Sequence, residues 1–388
     1  MKIQKRYRWL LSGALLLLPV LLLFMACSSD ETVDEPKLNI YVYAPEQPAI
    51  TRSEIVPTEP EAKIYNLQIW VFRSSDPTKL VASLTLRKEE ELQGLNENKS
   101  ASYSIALADR SFAERPEPVD IYVMANVIDN NGTNYLEPIN NSADLNKAAF
   151  DGGHFFSYTK SPYQAVTTIP VGRGVPMSGV ARGKSVVDRN NVLHINDANL
   201  TLVRTVSKIR FVFSSLEEEG VEQVLVDGIK LNKDLLYSKE RFFLDGDHPN
   251  YWVEGSAFNE EVLLVAGDRV NPIIQNTDPT KYAYSSSMAD DDYEALINEG
   301  IQNGELTEFG PVYLPESDKR LSGTISFRFN NDKQLSASFS MANGDFRRNQ
   351  TWIVYAYYLG SSKLEVNTVK VVDWEDVPGT PDHDIHNW

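Results

Sequence analysis

A chain of 388 residues exceeds what one ordinary hydrophobic core organises, so its length predicts two domains. A net charge of −17 repels phosphate and speaks against nucleic acid as a partner, and a single cysteine excludes an internal disulfide. Plentiful Tyr and Phe, with no second long apolar run after the N-terminal one, predict β-rich domains rather than a membrane bundle.

Lys2, Lys5, Arg6 and Arg8 precede an apolar run, Leu10 to Ala26, that is short for a spanning helix and contains Pro19. The run ends Leu23-Phe24-Met25-Ala26-Cys27, followed by Ser28-Ser29-Asp30-Glu31. A small residue and then Cys, directly after an apolar run, resembles a lipobox, which is cut before the Cys and carries diacylglycerol on its thiol. Residues 1–26 are therefore the expected lipoprotein signal peptide and Cys27 the lipidation site, tying the protein to the outer membrane by lipid alone. The acidic residues after Cys27 resemble the surface-export signals of Gram-negative lipoproteins. Loss of residues 1–26 removes four cations and no anion, which leaves a net charge of −21.

Asp30 to Lys37 reads as a polar tether. Leu38 to Tyr43 alternates Leu38, Ile40 and Val42 with Asn39, Tyr41 and Tyr43, a strand period. Pro45, Pro48, Pro57 and Pro60 then interrupt regular structure, with Arg52 and Ser53 between them. In Ile64 to Phe72, Leu67, Ile69 and Val71 share one face and Trp70 and Phe72 the other, as in a strand covered on both sides. Further strands are expected at 80–86, 101–107 and 119–127, and a short helix within 142–150.

The second half opens with a strand region over 200–213, followed after an acidic turn by 224–231. This order faintly repeats the first half and suggests two domains of one plan. An acidic surface helix is expected within 287–303, and strands at 321–329, 335–341 and 352–359. In the last strand region, Leu364 and Val366 share one phase, Val369 and Val371 the other, and Val372 and Trp374 return to the first. Such phase changes predict bulges, or a strand that bends and changes partners. A tail, 375–388, follows.

No chemistry-bearing constellation stands out. The five histidines, His154, His194, His248, His383 and His386, form no zinc pattern. Asp245-Gly246-Asp247 and Asp290-Asp291-Asp292 lack calcium-loop spacing and read as a turn and a helix end. Gly172-Arg173-Gly174 is no dinucleotide loop, and no nucleophile elbow or phosphate loop is present. The expectation is no enzyme, no cofactor and no metal.

Several short pieces, in order, resemble the fimbrillins, subunits of the type V pili of Gram-negative anaerobes. They are the lipobox at Cys27, Asn66 to Phe72, Tyr122-Val123-Met124-Ala125-Asn126, Pro176-Met177-Ser178-Gly179, Leu202 to Ile209, Arg348-Asn349-Gln350-Thr351-Trp352 and Val372-Asp373-Trp374. In Leu202 to Ile209 the family pattern Leu-x-Arg-x-x-Ala-Lys-Ile carries Ser207 in place of Ala. The resemblance implies an all-β fold of two transthyretin-like β-sandwich domains in tandem. The expected divisions are 27–52 (tether, first strand and propeptide), 53–194 and 195–388. It implies cleavage after Arg52, before Ser53, which removes the first strand. The strand region 364–374 of a neighbouring subunit, with Leu364, Val366, Val369, Val371 and Trp374, then fills the gap. Expected partners are other fimbrillin subunits and a host or bacterial surface ligand, in a cell-surface fimbrium serving adhesion. The tail departs from many family members, which end nearer Trp374. Alternative readings are a lipid-retained anchor or tip subunit, a surface glycan-binding lipoprotein, and a hydrolase using scattered acids.

Overall fold

The computed structural model describes residues 36–45, 61 and 63–373, save 129–132, 135, 137–138, 152–162, 165–168, 170–171, 190–191, 197–199, 222, 266–271, 330–332, 342–345 and 361–363. Lys37 opens one structural unit that runs through the rest of the chain.

The first half supplies β1 (Lys37–Tyr43), β2 (Leu67–Arg73), β3 (Leu80–Leu86), helix α1 (Glu89–Asn98), β4 (Ser100–Ala106), a helical turn α2 (Ser111–Glu114), β5 (Val119–Ala125) and α3 (Ser142–Lys147). Two short strands, β6 (Ala149–Asp151) and β7 (Tyr163–Gln164), leave this half to pair with the second. Then come β8 (Met177–Lys184), β9 (Val186–Arg189), β10 (Val192–Ile195), β11 (Leu200–Thr201) and β12 (Val203–Arg204). One sheet holds β1 between β4 on one side and β10 and β11 on the other, with β9 beyond β10. The facing sheet runs β12-β8-β5-β2-β3. Alternate residues of both sheets meet between them: Leu38, Ile40 and Val42 from β1, Ile69 and Val71 from β2, Ile121 and Val123 from β5.

β2 is apolar on both faces because both are covered. Leu67, Ile69 and Val71 face the sandwich core. Trp70 and Phe72 face a second cluster with Tyr122, Phe242, Phe243 and Tyr313, where the two halves meet. Tyr122 packs edge-on against Phe243, ring centroids 5.0 Å apart.

The second half contains β13 (Val206–Leu216), β14 (Val224–Leu231), β15 (Lys239–Arg241), β16 (Val262–Val265), β17 (Gln275–Asn276), a 3-10 turn (Pro279–Tyr282), helix α4 (Asp290–Gln302), β18 (Thr307–Pro315), β19 (Ser322–Phe329), β20 (Lys333–Ser340), β21 (Gln350–Tyr358) and β22 (Leu364–Asp373). One sheet runs β17-β13-β21-β22, with β18 also paired to β13; its partner runs β20-β19-β14-β16-β7. Ile209, Phe211, Phe213, Ile325, Phe327 and Trp352 fill the space between. The expected run 200–213 is broken at Thr205, and sheet membership changes there: β12 belongs to the first sandwich and β13 to the second. The all-β tandem sandwich expected from the sequence is what the structure shows.

The two sandwiches share a plan. Each sets its first strand inside a sheet, antiparallel to one neighbour (β4 or β18) and parallel to the other (β10 and β11, or β21). β9 lies antiparallel beside β10 and precedes it in the chain; β22 takes the same place beside β21 but follows it. It adds to β21 at the edge of the second sandwich.

Candidate functional site: the first strand and its fastenings

β1 forms its local structure by simple alternation, but its position is unusual for a chain's leading strand. All seven of its residues pair with β4, from Lys37 opposite Ala106 to Tyr43 opposite Ser100. On its other edge Leu38 and Asn39 pair with Leu193 and His194 of β10, and Val42 and Tyr43 with Leu200 and Thr201 of β11. Leu38, Ile40 and Val42 are fully buried, while Tyr41 and Tyr43 are 51% and 38% exposed. Ladder bonds thus use both edges of β1, and its inner face is part of the core. Beyond it, Ala44 N–H donates to Lys99 O at 2.9 Å and Leu202 N–H donates to Tyr43 O at 2.9 Å.

The chain is fastened again at Glu61, which is buried at the junction of the sandwiches. Tyr313 Oη donates to Glu61 Oε1 at 2.6 Å, Lys208 Nζ lies 3.5 Å from the same oxygen, and Arg204 Nε donates to the Glu61 carbonyl at 3.2 Å. Burial holds the Lys208 ammonium below its ordinary range, with Glu61 pulling it back up. Two asparagines continue the fastening. Asn126, at φ +61°, donates through Nδ2 to Lys63 O (3.1 Å) and Val175 O (2.8 Å) and accepts from Tyr65 N–H (2.8 Å). Asn66 donates to Ile128 O at 2.9 Å and accepts from Val127 N–H at 3.0 Å. Gly174, at φ +66°, passes so near that a Cβ would come within 2.3 Å of Asn126 Nδ2.

The motif residues thereby acquire structural roles. Arg204 and Lys208, from Leu202 to Ile209, hold Glu61. Thr205 donates to Pro176 O, and Ser178 Oγ to Phe242 O at 2.9 Å. A Cβ on Gly179 would lie 2.3 Å from Thr201 O, so only glycine lets β11 pass β8 this closely. Arg348 is buried between two carboxylates, 2.7 Å from Glu240 Oε1 and 3.3 Å from Glu316 Oε2, with its guanidinium 3.2 Å from the Tyr251 ring centre. Arg347 reaches the other Glu316 oxygen at 3.0 Å. Burial pushes the Glu240 carboxyl up to about 8, Arg348 pulling it down and Glu316 adding to the rise.

Cys27, Arg52, Ser53 and Trp374 lie outside the described residues, as do His154, His383, His386 and the tail. Leu364, Val366, Val369 and Val371 all belong to β22, paired with Tyr358, Ala356, Ile353 and Thr351. Pairing is continuous from Leu364 to Val371, and a bulge separates Val371 from Asp373. The second phase change therefore marks a bulge; the first does not. Val366 packs on the core, whereas Val369 stands in register with Ile353, whose face of β21 is covered by the Pro279–Gln302 segment.

Asp245 is a turn residue, accepting from Asp247 N–H at 3.0 Å and His248 N–H at 2.7 Å. Asp290, Asp291 and Asp292 open α4. Among the described residues no group of three His, Cys, Asp or Glu side chains is placed to hold a metal ion. Sequence reasoning missed Glu61 and its partners. Its signal was weak: an acidic residue after Pro60, with cations and a tyrosine far along the chain.

No family model matches the chain, and no curated protein sequence matches it. Among solved structures it resembles a candidate cell adhesion protein from Parabacteroides distasonis at 14% identity and TM-score 0.51, over 87% of this chain and 97% of that one. Another candidate cell adhesion protein, from Bacteroides eggerthii, matches at 14% identity and TM-score 0.49 over 87% and 95%. The tip fimbrial protein Mfa3 from Porphyromonas gingivalis, with a C-terminal truncation, matches at 16% identity and TM-score 0.49 over 88% and 100%. With the first of these the chain shares its fold.

Proposed function

We propose that this chain is a fimbrial subunit, exported as a lipoprotein on Cys27 and assembled by exchange of its first strand for a strand of a neighbouring copy. The observation that carries this reading is the placement of β1. A leading strand paired on both edges, with Leu38, Ile40 and Val42 in the core, leaves an open slot when removed. Unpaired backbone groups and an apolar trench then favour a replacement strand, with ladder bonds for affinity and alternate side chains for fit.

Removal requires a cut between two fastened points, Tyr43–Ala44 on one side and Glu61 on the other. Within 46–60 the only Lys or Arg is Arg52, so a trypsin-like protease has one target there. The donor is β22, an edge strand whose one ladder partner among the described residues is β21. Donation from one subunit into the next is a head-to-tail contact and builds an open filament. A role in surface adhesion accords with the description of the P. distasonis protein of the same fold.

Incubating the mature protein with trypsin tests this reading. A single cut after Arg52, found by N-terminal sequencing, with a ladder of polymers on a denaturing gel is expected. An Arg52→Ala chain that polymerises as well as wild type would refute the processing step. Polymers that form unchanged after deletion of 364–388 would remove β22 as donor.

A further inference from the structure

The donor strand is held on more than its edge. On the core side Val366 packs against the main cluster of the second sandwich, and β20 approaches β22. On the opposite side α4 runs against β22. The segment carrying α4 leaves the sheet after β17 and returns at β18. Its two ends are neighbours, since Ile274 N–H donates to Thr307 Oγ1 at 2.9 Å. Tyr282, Tyr293, Ile297 and Leu306 of this insertion cover Val212, Ile353, Tyr355 and Tyr357 of the sheet. Polar contacts fix it in place. Tyr355 Oη donates to Pro279 O at 2.7 Å. Arg210 on β13 reaches Glu294 at 3.1 Å, Asn298 at 2.8 Å and, outside the helix, Glu308 at 2.6 Å.

We propose that the 277–306 insertion is a clasp: it retains β22 in its own subunit, and its release limits the handover of β22 to a neighbour. This inference rests on the reading of β22 as donor. An edge strand bonded to one neighbour frays readily unless its faces are covered, and here the insertion supplies the second cover. The clasp keeps an unpaired, sticky strand from appearing before a slot is available. Its release is a conformational step separate from the cut at Arg52, so processing and assembly have separate controls.

The test compares wild type, an Ile297→Ala chain and a chain in which 278–305 is replaced by a short Gly-Ser linker. Backbone amide exchange of 364–373 is read in the uncut protein, and polymer growth is read after trypsin. Both variants should raise exchange in 364–373 by about tenfold, a local opening easier by about 1.4 kcal/mol, with a clearly smaller rise in 206–216 and 350–358, which keep ladder partners on both edges. Ladder growth should accelerate by a similar factor. Ile297→Ala keeps the comparison alive if the linker chain, with Ile353 and Tyr357 uncovered, does not fold. Unchanged exchange in 364–373, or exchange raised equally across the whole sheet, overturns the clasp. So does a ladder growing at the wild-type rate. A cut wild-type chain that forms no ladder overturns the donor reading first, and the clasp's assembly role with it.

Discussion

At the level of single residues, two sets of buried ionisable groups tie together distant parts of the chain. Lys208, Arg204 and Tyr313 converge on Glu61; Arg348 lies between Glu240 and Glu316. Charges out of water cost several kcal/mol each, so these groups hold only as sets, and deleting one partner strands another. Glu61→Ala should destabilise the chain by about 3–5 kcal/mol, whereas Glu61→Gln with Lys208→Met should cost clearly less. Chemical denaturation of the single and paired variants measures the coupling. Glu240 gives a prediction in pH. Its carboxyl moves from an ordinary 4.5 up to about 8 on folding. Between those values the folded chain holds a proton that the unfolded chain has released, so the contribution is complete below 4.5 and lost as pH rises through about 8. Glu240→Gln, which keeps the neutral shape and the acceptor for Arg348, should flatten the fall in stability between pH 5 and 8. A denaturation midpoint that falls as steeply in the variant as in wild type would contradict this.

Among the elements, β1 and β2 were legible in the sequence and their positions only partly so. Alternation in Leu38–Val42 announces a strand, and two apolar faces in Leu67–Phe72 announce one covered on both sides. Nothing local states that β1 lies inside its sheet, because that depends on β4 and β10, which are distant in sequence. α1 was overlooked: Glu89–Glu91 and the buried pair Leu92 and Leu95 carry too short an apolar stripe to stand out. The phase change before Val369 falls within unbroken pairing, which sequence periodicity cannot distinguish from a bulge. The family-like motifs were legible as words but not as chemistry. Arg348 and Lys208 matter through Glu240 and Glu61, partners far along the chain that no spacing rule connects. For β1 itself, Ile40→Ala removes a fully buried side chain from the middle of the strand and should cost about 2–5 kcal/mol in the uncut protein. Chemical denaturation of the uncut wild type and of the uncut variant measures this loss. A loss well short of this range would contradict the packing of β1 into the core.

Across the whole molecule, chain order laid over the repeated plan explains why one strand can be spared and another lent. β13, the counterpart of β1, cannot be removed, because the chain is continuous through Thr205 into the first sandwich. The covalent link from β1 to the body runs through the segment that contains Arg52, and everything else that holds it is non-covalent. β22 is the opposite case: it follows β21, its one ladder partner among the described residues, so it can leave without breaking the chain inside its own sandwich. Loss of β1 should therefore weaken the first sandwich and spare the second, except at the shared cluster of Trp70, Tyr122, Phe243 and Tyr313. Amide exchange in the cut, β1-free chain should rise in β4, β10 and β11, the strands that lose a ladder partner, and stay low in β13 and β21. A synthetic peptide covering 364–374 should restore protection in β4. It can present one phase at a time to the trench, either Leu364 and Val366 or Val369 and Val371, because neighbours along an unbulged strand face opposite sides. Peptides with Leu364 and Val366, or with Val369 and Val371, changed to Ser decide which phase enters: the pair whose loss abolishes protection is the inserted one. Equal protection from both altered peptides, or none from the native one, would mean that the slot left by β1 is filled by something other than this strand.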